Sequence, residues 1–361
     1  FIERSFYTNL RARALGDTYV FGEVLIGMAA DDAEIIAKYG NRTGRGWISA
    51  GMDFQQQWVE GTTGLGALEN YPLYMAMCAA FAYVGNRTVL PNNIDALWQS
   101  GADNFLLPVG SVGVVETIIR KEMDVYGTGP HGYGALNNFI ENQDEPRMIF
   151  LACAALSGGK WGSGGPVDEW ACNNTAVRNS PGPVLIWMNA ITVTVMLPGV
   201  PSLIYGSEQA VVGAFSANGN GRDTFRSPMW LTGYNASAPL YGFTSRLGGL
   251  RKHVVKDMGP EAIDDMVFVS VTSSDLRNVS DHVLAFQRGP ALVVTSNLAN
   301  RVSEMDLQVD VTLHTVGLAQ GTELCDSLCY RRHSAEYSWL ANAYGVRFAP
   351  AVAPETCDCT K

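Results

Sequence analysis

FIENQDEPR, residues Phe139 to Arg147, is the stretch on which the reading of the fold turns. The apolar pair Phe139 and Ile140 suits the buried part of a strand spanning Asn137 to Glu141. The chain then changes abruptly to Glu141, Asn142, Gln143, Asp144 and Glu145 before Pro146 stops the regular structure. Three carboxylates within five residues at a strand tip repel one another and are costly to desolvate. Two readings fit: a polar catalytic rim at the end of a core strand, or a solvated loop that caps the strand.

Working outward, Thr18 to Glu23 (TYVFGE) repeats the pattern, a β-branched and aromatic run that ends in a single carboxylate. Glu23 and Asp144, at the ends of two strands, would present two carboxylates to one cleft. That is the minimum equipment for glycoside hydrolysis, in which one carboxyl protonates the leaving oxygen and others stabilise an oxocarbenium-like centre. The plain alternative is a pair of unrelated surface carboxylates.

Around these tips the chain alternates. Further strands are expected at Leu65 to Asn70 and Ser202 to Tyr205, with helices at Leu73 to Val84, Val114 to Met123, Arg147 to Leu156, Val184 to Leu197 and Pro239 to Val254. The Gly-rich run from Ser157 to Pro183 exceeds what a compact connection needs and reads as an insertion. Strand then helix, repeated, implies parallel strands with ligands at their C-terminal ends. From about Gly259 the period shortens to two, in Met266 to Val271, His282 to Gln287, Ala291 to Ser296 and Leu307 to Val311. The expected organisation is an α/β part over residues 1–258 and an all-β, antiparallel domain over 259–361.

The ordered series FGEVLIG (Phe21 to Gly27), LENYPLY (Leu68 to Tyr74), FIENQDEPR, LPGVPSLIYGSEQ (Leu197 to Gln209), Arg226 to Trp230 and LTGY (Leu231 to Tyr234) resembles the α-amylase family of glycoside hydrolases, in its secreted fungal form. The resemblance implies an eight-stranded (β/α)8 barrel, of which this chain carries about the second half, followed by a C-terminal β-sandwich. It implies that Glu23 is the proton donor after barrel strand five and Asp144 the transition-state-stabilising aspartate after strand seven. Leu25 and Gly27 would line the leaving-group side, while Arg226 and Asp223 would approach the distal sugars. The implied substrates are α-1,4-glucans, cleaved with retention. The implied cofactor is calcium, with ligands mostly outside this chain, so no metal ligand is assigned here. The implied full-length protein is a monomer.

Departures from the family pattern are local. Gln143 stands where the family has histidine, Glu145 where it has asparagine, and Ile26 and Met28 where acids are usual. The family's nucleophilic aspartate, in an Arg-x-Asp motif, is expected just upstream of Phe1, so the chain is expected to be either the C-terminal part of a longer protein or a truncated paralogue. These departures favour an alternative reading, a glucan-binding relative without turnover. A transglycosylase or α-glucosidase of the same family is a third.

Composition sets the outer limits. At 361 residues, 47% hydrophobic and 17% charged, the chain is globular and long enough for two domains. A net charge of −10 argues against a nucleic-acid partner and against an anionic membrane, and is indifferent to a neutral polysaccharide. Sequons at Asn41, Asn86, Asn173, Asn235 and Asn278 and seven cysteines lean towards a secreted protein. Cys325 and Cys329 are expected to bridge to Cys357 and Cys359, with a zinc clip by these four as the lesser alternative, Cys153 and Cys172 to staple the insertion, and Cys78 to remain a buried thiol. Gly127, Gly129 and Gly132 satisfy G-x-G-x-x-G, but Pro130 interrupts it, so a dinucleotide site is not expected. Trp58, Trp98, Trp161, Trp170 and Trp230 are candidate sugar-stacking rings, with packing in the core as the plainer alternative.

Overall fold

Four two-residue strands, Phe21–Gly22 (β1), Ala67–Leu68 (β2), Asn137–Asn138 (β3) and Val200–Pro201 (β4), run parallel in chain order. The β1–β2 and β3–β4 pairs are joined by a parallel bridge between Glu69 and Asn137. These elements come from a computed structural model that describes residues 19, 21–22, 67–82, 110–126, 133–143, 145, 147–156, 181–212, 226–258, 266–273, 278–289, 291–298, 305–306, 308–310 and 346–347. Parallel neighbours need crossover connections, and helices supply them. Tyr71–Phe81 (α1) and Gly113–Tyr126 (α2) lie between β2 and β3, and Met148–Leu156 (α3) and Pro181–Met196 (α4) lie between β3 and β4. Pro239–Met258 (α5) follows β4.

α1 is buried along its whole length, as its nearly all-apolar sequence requires. Pro72 sits in its first turn, and the Asn70 side chain caps it by accepting from the Leu73 amide at 3.1 Å. Cys78 on this helix is a free, fully buried thiol, and burial pushes its pKa up. Cys153 on α3 is disulfide-bonded to a cysteine outside the described residues.

α4 ends against two arginines. Arg251 donates to the carbonyls of Val195, Leu197 and Gly199, the Leu197 bond at 2.9 Å. Arg288 donates to Met196 and Leu197 at 3.0 and 2.9 Å. Carbonyls at a helix C-terminus have no intrahelical partner and carry the negative end of the macrodipole, so paired guanidiniums suit them. Burial, and Arg288 beside it, lower the Arg251 pKa to about 10, which leaves it charged at neutral pH.

The fourth strand lies upstream of the expected Ser202 to Tyr205. Gly199, at φ +103, turns the chain, and a Cβ there would lie 2.7 Å from both the Leu136 carbonyl oxygen and Asn138 Nδ2. The ladder then runs from Val200, and its last bond is Ser202 N to Asn138 O at 2.7 Å. The apolar run Leu203 to Tyr205 therefore leaves the ladder before the turn at Gly206. Likewise β3 covers only the first two residues of the expected Asn137 to Glu141.

Behind the ladder a buried polar chain connects α1, α2 and β3. Asn70 Nδ2 donates to Asn138 Oδ1 at 3.0 Å and to Glu122 Oε2 at 3.1 Å, and Asn138 Nδ2 donates to the Pro198 carbonyl at 2.6 Å. Glu122 is fully buried on α2, and neither its Oε1 nor the hydroxyl of buried Tyr133 has a hydrogen-bond partner among the described residues. Burial pushes the Glu122 carboxyl up to about 8, against the opposing pull of the Asn70 hydrogen bond.

Beyond residue 265 the described elements are mostly strands. Met266–Phe268 (β5), Val283–Arg288 (β7) and Ala291–Ser296 (β8) form an antiparallel sheet in the order β5-β7-β8, and Ser270–Thr272 (β6) pairs antiparallel with Gln308–Asp310 (β10). A four-residue helix, Val279–His282 (α6), leads into β7. One pair departs from the antiparallel expectation: Met305–Asp306 (β9) runs parallel to Val346–Arg347 (β11). Leu284, Phe286 and Val293 join the same apolar core as the helices. Asn297 Nδ2 donates to the carbonyls of Ala80 and Gly110 at 2.9 and 2.6 Å, and Asn189 Oδ1 accepts from the Ser296 amide at 2.9 Å. Among the described residues no helix is long and apolar enough to cross a membrane.

Candidate active site

In a parallel ladder every strand points the same way, so the residues that follow β1 to β4 gather at one edge. The backbone confirms the alignment at β2, where the Glu69 amide donates to the Gly22 carbonyl at 2.9 Å. Of the residues assigned from sequence, Gln143 and Arg226 are described, and they meet. Arg226 Nε donates to the Gln143 backbone carbonyl at 3.0 Å. Both side chains are exposed at the tip that follows β3. Glu23, Leu25, Gly27, Asp144 and Asp223 lie outside the described residues; Glu23 is the residue that follows Gly22 in the chain.

The acid-rich tip divides into two halves. Glu141 is 2% exposed and faces inward. Its Oε2 accepts from the Met148 amide at 2.7 Å, one of the free N–H groups at the start of α3. Its Oε1 accepts from the Ser207 hydroxyl and lies 3.9 Å from Arg147 Nη1. Arg147, also fully buried, donates to the Tyr205 carbonyl at 2.9 Å and lies under the Tyr205 ring at 5.6 Å. Glu141 is therefore a structural carboxylate that ties the β3 tip to the turn after β4, and the reading of all three acids as a catalytic rim is corrected for it. Removing one member of a buried ion pair strands the other, so Glu141→Ala should cost about 3 kcal/mol or more in unfolding free energy. Chemical denaturation would measure it, and a cost below about 1 kcal/mol would contradict this role.

The second half of the tip faces β2 and α1. Asn142 Nδ2 lies 3.4 Å from Glu69 Oε2 and 3.3 Å from the Tyr71 hydroxyl, while Asn142 Oδ1 accepts from the Glu145 amide at 2.9 Å. The Tyr74 hydroxyl donates to Glu145 Oε2 at 3.2 Å. Burial, first, then Cys78 and Glu145 raise the Tyr74 pKa well above the usual phenol value, so it stays a donor. Phe139 stacks on Tyr74 at 5.2 Å and meets Tyr71 edge-on at 5.1 Å, which holds the strand end against α1.

Glu69 was not among the residues singled out from sequence, although its signal is the one that marked Glu23: one carboxylate closing a short apolar strand. The edge thus assembles a carboxylate (Glu69), an exposed amide (Gln143), a guanidinium (Arg226) and an exposed ring (Tyr205), with buried Asn142 tying the tip to Glu69 and Tyr71 from behind. Such groups suit a neutral polyhydroxylated ligand, which needs many donors and acceptors and a flat apolar surface. Among the described residues no three His, Cys, Asp or Glu side chains converge to hold a metal ion. No step below runs through a metal ion.

No protein-family model matches the chain. It is similar to fungal α-amylases over part of its length: 29% identical over 163 residues to "Alpha-amylase mde5" of Schizosaccharomyces pombe, covering 45% of this chain and 24% of that protein. An α-amylase of Saccharomycopsis fibuligera is 29% identical over 140 residues, 39% of this chain and 24% of the relative. "Alpha-amylase 2" of Schwanniomyces occidentalis is 23% identical over 288 residues, 80% of this chain and 37% of the relative. The chain thus spans a quarter to under two fifths of the length of these relatives. Among solved structures, an α-amylase from Malbranchea cinnamomea aligns over 83% of this chain and 43% of its own at 17% identity and a TM-score of 0.48.

Proposed function

We propose that this chain, similar in sequence to fungal α-amylases, is part of a glycoside hydrolase that cleaves α-1,4-glucans with retention of configuration. The observation that carries the reading is the parallel ladder, whose C-terminal edge collects the Gly22–Glu69 backbone bond, the Asn142–Glu69 contact and the Arg226–Gln143 bond. Ligand sites of parallel α/β folds lie at that edge. In this proposal β1 to β4 are the second half of an eight-stranded barrel, with the strands from 259 onward as the C-terminal β-sandwich domain.

Glu23, directly after β1, acts as general acid on the leaving glycosidic oxygen and then as general base on water. Asp144 stabilises the positive charge that develops on the sugar ring. Gln143 holds hydroxyls of the reacting sugar, Arg226 and Asp223 approach the more distal sugars, and Leu25 and Gly27 shape the leaving-group side. The nucleophilic aspartate that retention requires is not among the residues assigned here. Glu69 and Asn142 position the tip that carries Gln143 and Asp144. The protein works as a secreted monomer.

A second reading, glucan binding without turnover, is favoured by one observation. Gln143 stands where the resemblance leads one to expect histidine, and it can share a hydrogen bond with a sugar but never carry a proton charge. Release of reducing ends from maltooligosaccharides by the natural protein separates the two. Turnover supports the hydrolase, and saturable binding with no product supports the binding protein.

A further inference from the structure

Glu122 stands where an apolar residue is due. On α2 the buried stripe runs through Val114, Val115, Ile118 and Ile119, and the next position on that face is the fully buried Glu122. Arg120 and Glu116 pair with each other at 2.7 Å away from that stripe. A buried carboxyl is costly where a leucine would pack, so helix packing alone does not call for it.

The donor directions around Glu122 are fixed. Asn70 Oδ1 is taken by the Leu73 amide at the start of α1, so the Asn70 amide nitrogen faces inward, and its two hydrogens go to Asn138 Oδ1 and Glu122 Oε2. With its oxygen so occupied, Asn138 donates onward to the Pro198 carbonyl. The series crosses from α2 through the ends of β2 and β3 to the turn before β4, and Glu122 is its terminal acceptor. Gly199, where a Cβ would lie 2.7 Å from Asn138 Nδ2, leaves the far end no room to shift.

The strands tied in this way carry the candidate active-site edge. Asn70 follows Glu69, whose amide bonds the Gly22 carbonyl and whose carboxylate meets Asn142. Asn138 leads through Phe139 and Glu141 to Gln143 at the tip. A protonated Glu122 accepts from Asn70 without bringing a charge into the core; ionised, it places charge on Oε1, to which no described residue is hydrogen-bonded. Of the elements packed on α2, the turn Tyr133–Ala135 presents the Tyr133 hydroxyl, with Arg288 of β7 beyond it. α1 presents its Asn70 cap, and α6 presents Asp281, bound to Ser111 just before α2 begins, and His282, bound to Asn297. Burial keeps the Glu122 carboxyl protonated at neutral pH, with its pKa near 8.

We propose that Glu122 is a positioning residue: as a protonated carboxyl it holds Asn70 and Asn138, and through them Glu69 and the tip bearing Gln143, in the arrangement that turns over, and its ionisation relaxes that arrangement. The inference rests on the glycoside-hydrolase reading above and adds a means by which pH governs the same site. Turnover of maltoheptaose by the natural protein is compared with that of Glu122→Gln, which keeps an acceptor for Asn70 and cannot ionise, only at pH values where near-UV circular dichroism shows the native fold. The ratio of kcat, variant over wild type, should lie within about twofold of one at about pH 6 and rise at least about fivefold by about pH 9, because Glu23 titrates in both proteins and cancels. Glu122→Leu keeps the size and strands an Asn70 N–H, so its kcat at about pH 6 should fall at least about tenfold. A natively folded Glu122→Leu with wild-type kcat would overturn the inference, and so would a ratio that stays flat with pH, which decides the matter even if the leucine variant does not fold. A wild type without turnover at any pH overturns the hydrolase reading and this inference with it, whereas turnover with a flat ratio overturns this inference alone.

Discussion

Glu23→Gln is expected to lower kcat on unactivated maltooligosaccharides by about a thousandfold, the middle of the range for loss of a general acid. The amide keeps the size of the side chain and can still share a hydrogen bond, but it holds no proton to give to the leaving oxygen. The loss should depend on the substrate. A glycoside with an acidic phenol as leaving group needs little protonation, so its first step should be largely spared and an intermediate should accumulate. The limb of the kcat/KM against pH profile that reports the acid should vanish. A variant that retains more than about a tenth of wild-type kcat on maltooligosaccharides would remove Glu23 from the proposed role. What supports the role is position: Gly22 closes β1, at the edge where Glu69, Gln143 and Arg226 gather.

A second large effect concerns stability. Glu122 is fully buried, and burial raises its carboxyl from 4.5 to about 8 in the folded state. The sign follows from proton binding. Below pH 4.5 both folded and unfolded chains hold the proton; between 4.5 and 8 only the folded chain does, so stability is lost as pH rises through that window and levels off above it. One proton corresponds to about 1.4 kcal/mol per pH unit, so the loss amounts to several kcal/mol in order of magnitude. The groups facing Glu122 include the Asn70 amide and Tyr133, whose own pKa is raised by burial first and by Glu122 next, and lowered by Arg288. Glu122→Gln keeps an acceptor for Asn70 and removes the titration. Urea unfolding at pH 5 and pH 8 should show a marked difference for wild type and a much smaller one for the variant. Equal differences in the two proteins would refute a protonated Glu122.

The parallel core was legible because its signals are local. β-Branched and aromatic residues ending in one carboxylate marked β1, and the nearly unbroken apolar run of α1 marked a helix buried on all sides, with Cys78 as an inert thiol inside it. What escaped depends on partners distant in sequence. Glu141 looked like one of three rim acids, and only the fold brings it to Ser207 and the start of α3. Glu122 sits in an amphipathic helix where a charged residue ordinarily faces water; nothing local says that Asn70 waits for it inside. The fourth strand was placed too far along because Leu203 to Tyr205 is apolar, whereas Gly199 starts the ladder earlier and Ser202 makes its last bond. Trp230 was weighed with four other tryptophans as a stacking or a core ring, and it is exposed. Trp58, Trp98, Trp161 and Trp170 lie outside the described residues, as do Glu23, Asp144 and the cysteines from 325 to 359.

The most direct measurement is the anomeric form of the first product released from maltoheptaose by the natural protein, followed by proton NMR before mutarotation, beside its Glu23→Gln variant. A retaining α-glucan hydrolase gives the α-anomer first, and the variant should give no product on the same time scale. Initial β-anomer, or tight binding of maltoheptaose with no product from the wild type, would contradict the account.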